Sequence, residues 1–317
     1  MEVRRVRGGQ QLRLMTACIY CGAPGVGREH AIPGGLSGHF TLGAASCRAC
    51  ERQSSGFELR LLRGPLLPLR VLFDVYAADA KKRPPSLLVE LSYPDGTTVV
   101  EDAPIQGHPA ALALPLFRPP LRLAGNAQRP MQFVGEWAMQ FNDPAAVEAY
   151  VRSRGANGLL YRSTIEVQAL VQLIAKIGYC FAIGALGADT IERAMPNPLE
   201  ASVEELTPFV GGYTSLAPAD EDLHVVAVRV LDDGRVLVDV RLLARYGTPT
   251  YTALVGNTNK RPDTVEYAVP VSGLWPLAAY PLPSTVTPRI DVLRNGRALA
   301  DDELTGERRP ATTSTEP

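Results

Sequence analysis

The sequence predicts an α+β protein in two unequal parts, and three observations carry that reading. Two Cys-x2-Cys pairs, CIYC and CRAC, stand 25 residues apart near the N-terminus. Helical stretches with recognisable caps fill the middle of the chain. Short β-favouring runs, cut by turn residues, dominate the part that follows. The expected division is a small unit over residues 1–68, a mixed α+β region over 69–300, and a polar tail over 301–317 expected to be disordered.

The elements follow in order. ERQSSGFELRLLR, after the second Cys pair, reads as a helix with Gly56 as its weak point, and GPLLP ends the unit. KKRPP at 81–85 reads as a charged, proline-bounded loop. LLVELSYPDGTTVVED is two strand-like runs around Pro-Asp-Gly, a hairpin. LALPLF, MQFV and WAMQF add short strands between prolines. Asp143-Pro144 supplies an N-cap and an N1 proline for AAVEAYVRSR, which Gly155 stops. Ser163-x-x-Glu166 reads as a capping box opening a long apolar helix over about 164–184, and Ser202 as the cap of VEELTPFV. Helices are thus expected over about 144–210. Antiparallel strands follow over about 223–272, beginning with the hairpin LHVVAVRVL-DDG-RVLVDVRLL.

Apolar residues make up 46% of the 317, which excludes disorder of the whole chain. Net charge is -1, so the chain as a whole is no polycation. Residues 1–70 nevertheless hold ten arginines against four glutamates, a net of +6, and the other 247 residues carry -7. That asymmetry marks either a local polyanion-binding face or a solvated basic end. The opening MEVRRVRGGQQLRL has no apolar signal-peptide region. The longest apolar run is interrupted by Glu166, Gln168, Gln172 and Lys176, so no membrane span is predicted. A cytoplasmic, reducing setting follows as an expectation, and there paired cysteines read as metal ligands rather than disulfides.

Cys18, Cys21, Cys47 and Cys50 offer the full tetrahedral set of a structural zinc ion. Two-residue spacing lets each pair wrap a tight turn, with Gly22 suited to it, and aim both sulfurs at one point. Four thiolates leave no open coordination position, so this zinc staples and does not catalyse. The fifth cysteine, Cys180, lies in an apolar run and reads as a buried, inert thiol.

Between the pairs the chain reads REHAIPGGLSG. CIYC…REHAIPGGLSG…ASCRAC resembles the HNH endonucleases, in the subgroup with an acidic-His-x-x-Pro motif between zinc knuckles. The resemblance covers about residues 16–60. It implies a ββα-metal, treble-clef-like finger acting on DNA, with His30 as general base and Glu29 as ligand to Mg²⁺ or a similar catalytic cation. Where the family writes Asn or His after the last knuckle cysteine, this chain has Glu51, a carboxylate that a hard cation accepts. Glu51 is equally suited to the first turn of a helix as a partner of its dipole. The family's second Asn has no counterpart: no Asn lies in residues 18–60, and the corresponding position is near Leu42. Arg28, Arg48 and Arg52 stand beside the site as candidate phosphate contacts.

His39 reads as a loop histidine, and His108 and His224 carry no assigned role. Residues 69–300 hold no motif tied to chemistry; target selection, a protein partner or a homodimer interface are the jobs considered for them. Three functions are therefore weighed: a metal-dependent DNA endonuclease (of restriction, defence or a mobile element), a non-catalytic zinc-stapled nucleic-acid-binding module, and a zinc-stabilised adaptor.

Overall fold

A computed structural model describes residues 3–7, 11–73, 84–124, 133–213, 222–259, 264–270, 286–294 and 297–298. The expected tail and most of the KKRPP loop lie outside them.

The N-terminal part contains β1 (Val3–Arg7), β2 (Gln11–Leu14), β3 (Gly27–His30), β4 (Thr41–Ser46), α1 (Arg48–Arg63) and α2 (Leu67–Leu72). β4 is the centre of a three-stranded sheet, parallel to β2 and antiparallel to β3. α1 begins at the second Cys pair and buries Cys50, Ser54, Phe57, Leu61 and Leu62. Those positions recur at helical spacing, which is why this stretch folds as an amphipathic helix.

The middle follows as β5 (Ser86–Ser92), β6 (Thr98–Pro104), β7 (Leu112–Phe117), α3 (Leu121–Ala124), β8 (Phe133–Met139), α4 (Pro144–Ser153) and β9 (Gly158–Glu166). β5 and β6 form the expected hairpin, and Asp143 caps α4 by accepting a hydrogen bond from the Ala145 amide at 3.0 Å. Then come α5 (Val167–Leu186), β10 (Glu192–Arg193), α6 (Val203–Leu206) and β11 (Val210–Tyr213). Ser202 caps α6 in a complete capping box with Glu205. The last elements are β12 (Asp222–Val230), β13 (Arg235–Leu242), β14 (Thr250–Asn257), β15 (Thr264–Pro270), β16 (Val286–Arg294) and β17 (Arg297–Ala298).

One expectation is corrected here. The capping box at Ser163 does not form, and the helix starts at Val167. Residues 158–166 are strand β9, with Leu159, Tyr161, Ser163 and Ile165 buried in alternation. Period-two burial and the long pairing with β16 outweigh a local cap. Glu166 instead meets Arg60 of α1 at 3.1 Å.

The largest sheet runs β1-β15-β12-β13-β14-β10, with β11 also on β14; a second runs β17-β16-β9-β5-β6. The strands from β12 to β15 pair antiparallel as expected. The additional parallel pairs, β1 with β15 and β9 with β16, bring distant segments together.

α5 is apolar on all sides because it is surrounded: it packs on β12, β13 and β14 and against α1. Gly178 permits the close approach, since a Cβ there would stand 2.8 Å from the Ala253 Cβ. α5 is long and apolar enough to cross a membrane by length and composition, and it is buried inside the fold. One apolar cluster runs from Cys18 and Phe40 through Phe57 to Phe181, Val238 and Val255. It crosses the expected boundary at residue 68, which falls within α2.

Candidate metal centre and the Glu29–His30 strand

The first Cys pair sits in a tight turn. The Gly22 amide donates to the Cys18 carbonyl at 2.9 Å, and Gly22 has φ of 76°, a conformation glycine adopts freely. The turn is tied to β4 by the Ile19 amide on the Ala45 carbonyl and the Val26 amide on the Ser46 carbonyl, both 2.9 Å. Gly25 makes that approach possible, because a Cβ there would fall 1.8 Å from the Ala44 oxygen. Cys47 is the N-cap residue of α1, and Cys50 lies within its first turn.

The four sulfurs therefore converge, all within 4.8 Å of one another. Cys21 and Cys47 are 3.7 Å apart. A tetrahedron with zinc–sulfur bonds of 2.3 Å has edges of about 3.8 Å, so the set fits zinc. The Cys50 amide at the helix start holds the Cys47 thiol down to about 7, whereas burial pushes the Cys50 thiol up. Cys180 is not a member of this cluster, and burial pushes its thiol well up.

Glu29 and His30 occupy adjacent positions on β3, so their side chains leave opposite faces of the strand. Glu29 points inward and is 4% exposed. Its Oε1 lies 2.7 Å from Nζ of Lys176 in the middle of α5, and the same ammonium meets Glu58 Oε1 of α1 at 2.9 Å. Lys176 also donates to the His30 carbonyl and, at 3.4 Å, to that of Ala31. Burial disfavours the ammonium, but the charges of Glu29 and Glu58 outweigh it, holding the Lys176 pKa well above the ordinary lysine value.

His30 is half-buried on the outer side, with Nδ1 3.4 Å from the Gly38 carbonyl. Glu51 is exposed on α1; a Cβ at Gly27 would lie 3.4 Å from its Oε2. Among the described residues, the four cysteines form the only group of three or more possible metal ligands within 4.8 Å. Glu29, His30 and Glu51 are not brought together in that way. Arg28, Arg48, Arg52 and His39 are exposed, and among the described residues no ion pair engages the three arginines.

Three buried polar side chains from remote elements hold the loop after β3, and sequence reasoning missed all three. Besides Lys176, Arg70 of α2 donates from Nε to the Gly35 carbonyl at 3.0 Å. His224 of β12 donates from Nε2 to the Leu36 carbonyl at 2.6 Å and accepts the Leu243 amide on Nδ1 at 3.0 Å. Burial pushes the His224 pKa down to about 4, with the Leu36 carbonyl opposing. The first knuckle is held likewise: the Tyr179 hydroxyl donates to the Ile19 carbonyl at 3.0 Å, and Arg193 lies over the Tyr179 ring. The available signal was the polar residues interrupting an apolar helix, since a lysine in a buried helix needs an anionic partner somewhere.

Gly38 closes the loop. A Cβ at Gly38 would sit 2.0 Å from the Ile32 oxygen, a backbone atom that cannot swing aside. Gly38→Ala is expected to cost about 3 kcal/mol, in the range of forced overpacking, read as a lower urea midpoint at unchanged slope. An unchanged midpoint contradicts the tight loop.

No protein family, curated protein or solved structure matches this chain.

Proposed function

We propose that residues 16–60 are an HNH-like zinc finger that grips the phosphate backbone of nucleic acid without cutting it. The observation that carries the non-cleaving part is the engagement of Glu29: its carboxylate is buried against Lys176, while Glu51 stands exposed elsewhere on α1. The order β3, β4, α1 with a cysteine pair before it and another at the helix start supports the ββα reading. The exposed arginines Arg28, Arg48 and Arg52, in a segment with net charge +6, support a polyanionic partner. Arginines on backbone phosphates give affinity without sequence information.

The second reading is the metal-dependent endonuclease. The half-buried His30 ring, on the same strand as exposed Arg28, favours it: an imidazole within reach of water is a common general base in hydrolysis.

One experiment separates them. Zinc-loaded full-length protein, its His30→Ala variant and the triple Arg28→Ala/Arg48→Ala/Arg52→Ala variant are incubated with supercoiled plasmid in Mg²⁺, Mn²⁺ or EDTA. The expected result is binding without nicking, and a slope of log K against log salt shallower by about 3 in the triple variant. Metal-dependent nicking that His30→Ala abolishes replaces this reading with the endonuclease. No binding at low salt leaves the adaptor.

A further inference from the structure

The HNH resemblance brings with it a divalent cation on Glu29, and the residues around Glu29 do not fit one. The place such an ion would take beside that carboxylate is filled by a side chain. Nζ of Lys176 lies 2.7 Å from Glu29 and 2.9 Å from Glu58, and it donates to the His30 carbonyl as well. With the Ala31 carbonyl at 3.4 Å, that is four acceptors for its three N–H groups. Mg²⁺ demands near-octahedral oxygen ligands at about 2.0–2.1 Å and keeps several waters. A side chain that is 1% exposed, packed among α1, β3 and α5, leaves no room for that shell.

The oxygen set is nevertheless one that suits a cation: two carboxylates and a main-chain carbonyl, from β3 and α1, directed at one point. We propose that Lys176 is a tethered replacement for the divalent cation. Its single positive charge satisfies the Glu29 and Glu58 carboxylates and holds the backbone of His30, so Glu29 takes up no divalent ion while α5 is docked. Lys176 is a positioning residue here, because its burial keeps Nζ away from any substrate. The inference goes beyond the nucleic-acid reading and stands whether or not the finger binds DNA.

The test compares zinc-loaded full-length wild type with Lys176→Ala and with the double variant Glu29→Gln/Lys176→Ala. Each is titrated with MnCl2, reading free Mn²⁺ by electron paramagnetic resonance, and melted with and without n-propylammonium chloride, the fragment that the alanine substitution removes. Wild type should bind no Mn²⁺ at Glu29 and show no Tm response to either cation. Lys176→Ala should melt roughly 10 °C lower, as expected when one partner of a buried ion pair is lost. It should recover part of that with propylammonium and bind one Mn²⁺ that the double variant does not bind. If Lys176→Ala does not fold, Lys176→Met keeps the stem's packing and loses only the charge. It should then be destabilised, and adding Glu29→Gln to it should restore part of the lost Tm. Mn²⁺ bound by wild type and lost in Glu29→Gln overturns the proposal. So does a Lys176 variant that matches wild-type Tm, or a folded Lys176→Ala that is destabilised and answers to neither cation.

Discussion

Removing the metal from Cys18, Cys21, Cys47 and Cys50 is expected to unfold the finger and to weaken the whole protein with it. Structural zinc contributes about 10–16 kcal/mol in finger peptides near neutral pH, as much as the total stability of an ordinary domain, about 5–15 kcal/mol. In this chain the loss has nowhere to stop. Ile32, Leu36, Phe40, Leu42 and Phe57 belong to the same apolar cluster as Ile177, Phe181 and Val255, and the Phe40 and Phe181 rings meet tilted by 42°, with centres 4.9 Å apart. A disordered finger uncovers one side of α5 and leaves the Lys176 ammonium without its carboxylates. The expected measurements are one zinc per chain by colorimetric release, and loss of the cooperative thermal transition in excess chelator. Cys50→Ser, which removes a buried ligand, should reproduce that loss. A chain that keeps its Tm after its zinc is gone would sink the stapling role.

The second large effect is acid lability. His108 and His224 are buried, and burial pushes each down to about 4, against about 6.5 for an unfolded histidine. Above pH 6.5 both are neutral in either state and stability does not depend on them. As pH falls below 6.5 the unfolded chain binds protons that the folded chain refuses. Stability then drops by about 1.4 kcal/mol per pH unit for each histidine, until the folded pKa is reached. His224 has a structural reason to refuse: its Nε2 already donates to Leu36 and its Nδ1 already accepts from Leu243. A proton on Nδ1 would set two donors face to face. His108 is similar, its Nδ1 accepting the Ala110 amide at 2.9 Å. Urea unfolding at intervals between pH 7 and 5, with zinc content followed in parallel, should give a slope that is small at pH 7 and rises to about two protons near pH 5. A variant lacking either histidine should give about one. A flat profile across that interval contradicts both assignments.

How much of this was legible in the sequence depended on distance along the chain. The knuckles, the Asp143-Pro144 start of α4, the Ser202 cap and the Pro-Asp-Gly hairpin are local signals, and each formed where local chemistry placed it. The boundary between β9 and α5 was misread because Ser163-x-x-Glu166 imitates a cap, while the deciding partner, β16, lies more than a hundred residues on. The same holds for the site. Glu29 and His30 were identifiable from their motif, but what Glu29 does is decided by Lys176, far downstream, whose ammonium also reaches the His30 and Ala31 carbonyls. In the sequence Lys176 is only a polar interruption of an apolar run, and His224 a histidine in a strand. Partner choice is a tertiary property, and periodicity does not encode it.

The separation between Lys176 and the strand it holds also sets an order of events during synthesis. The contact to His30 spans 146 positions, which at about 5–20 residues per second takes the ribosome roughly 7–30 seconds to cover. Throughout that interval the cysteines can already close on zinc, whereas Glu29 and Glu58 are carboxylates still waiting for their ammonium. In the nascent finger those two carboxylates are hydrated and unpaired, and its maturation is completed by a helix that has not yet been made.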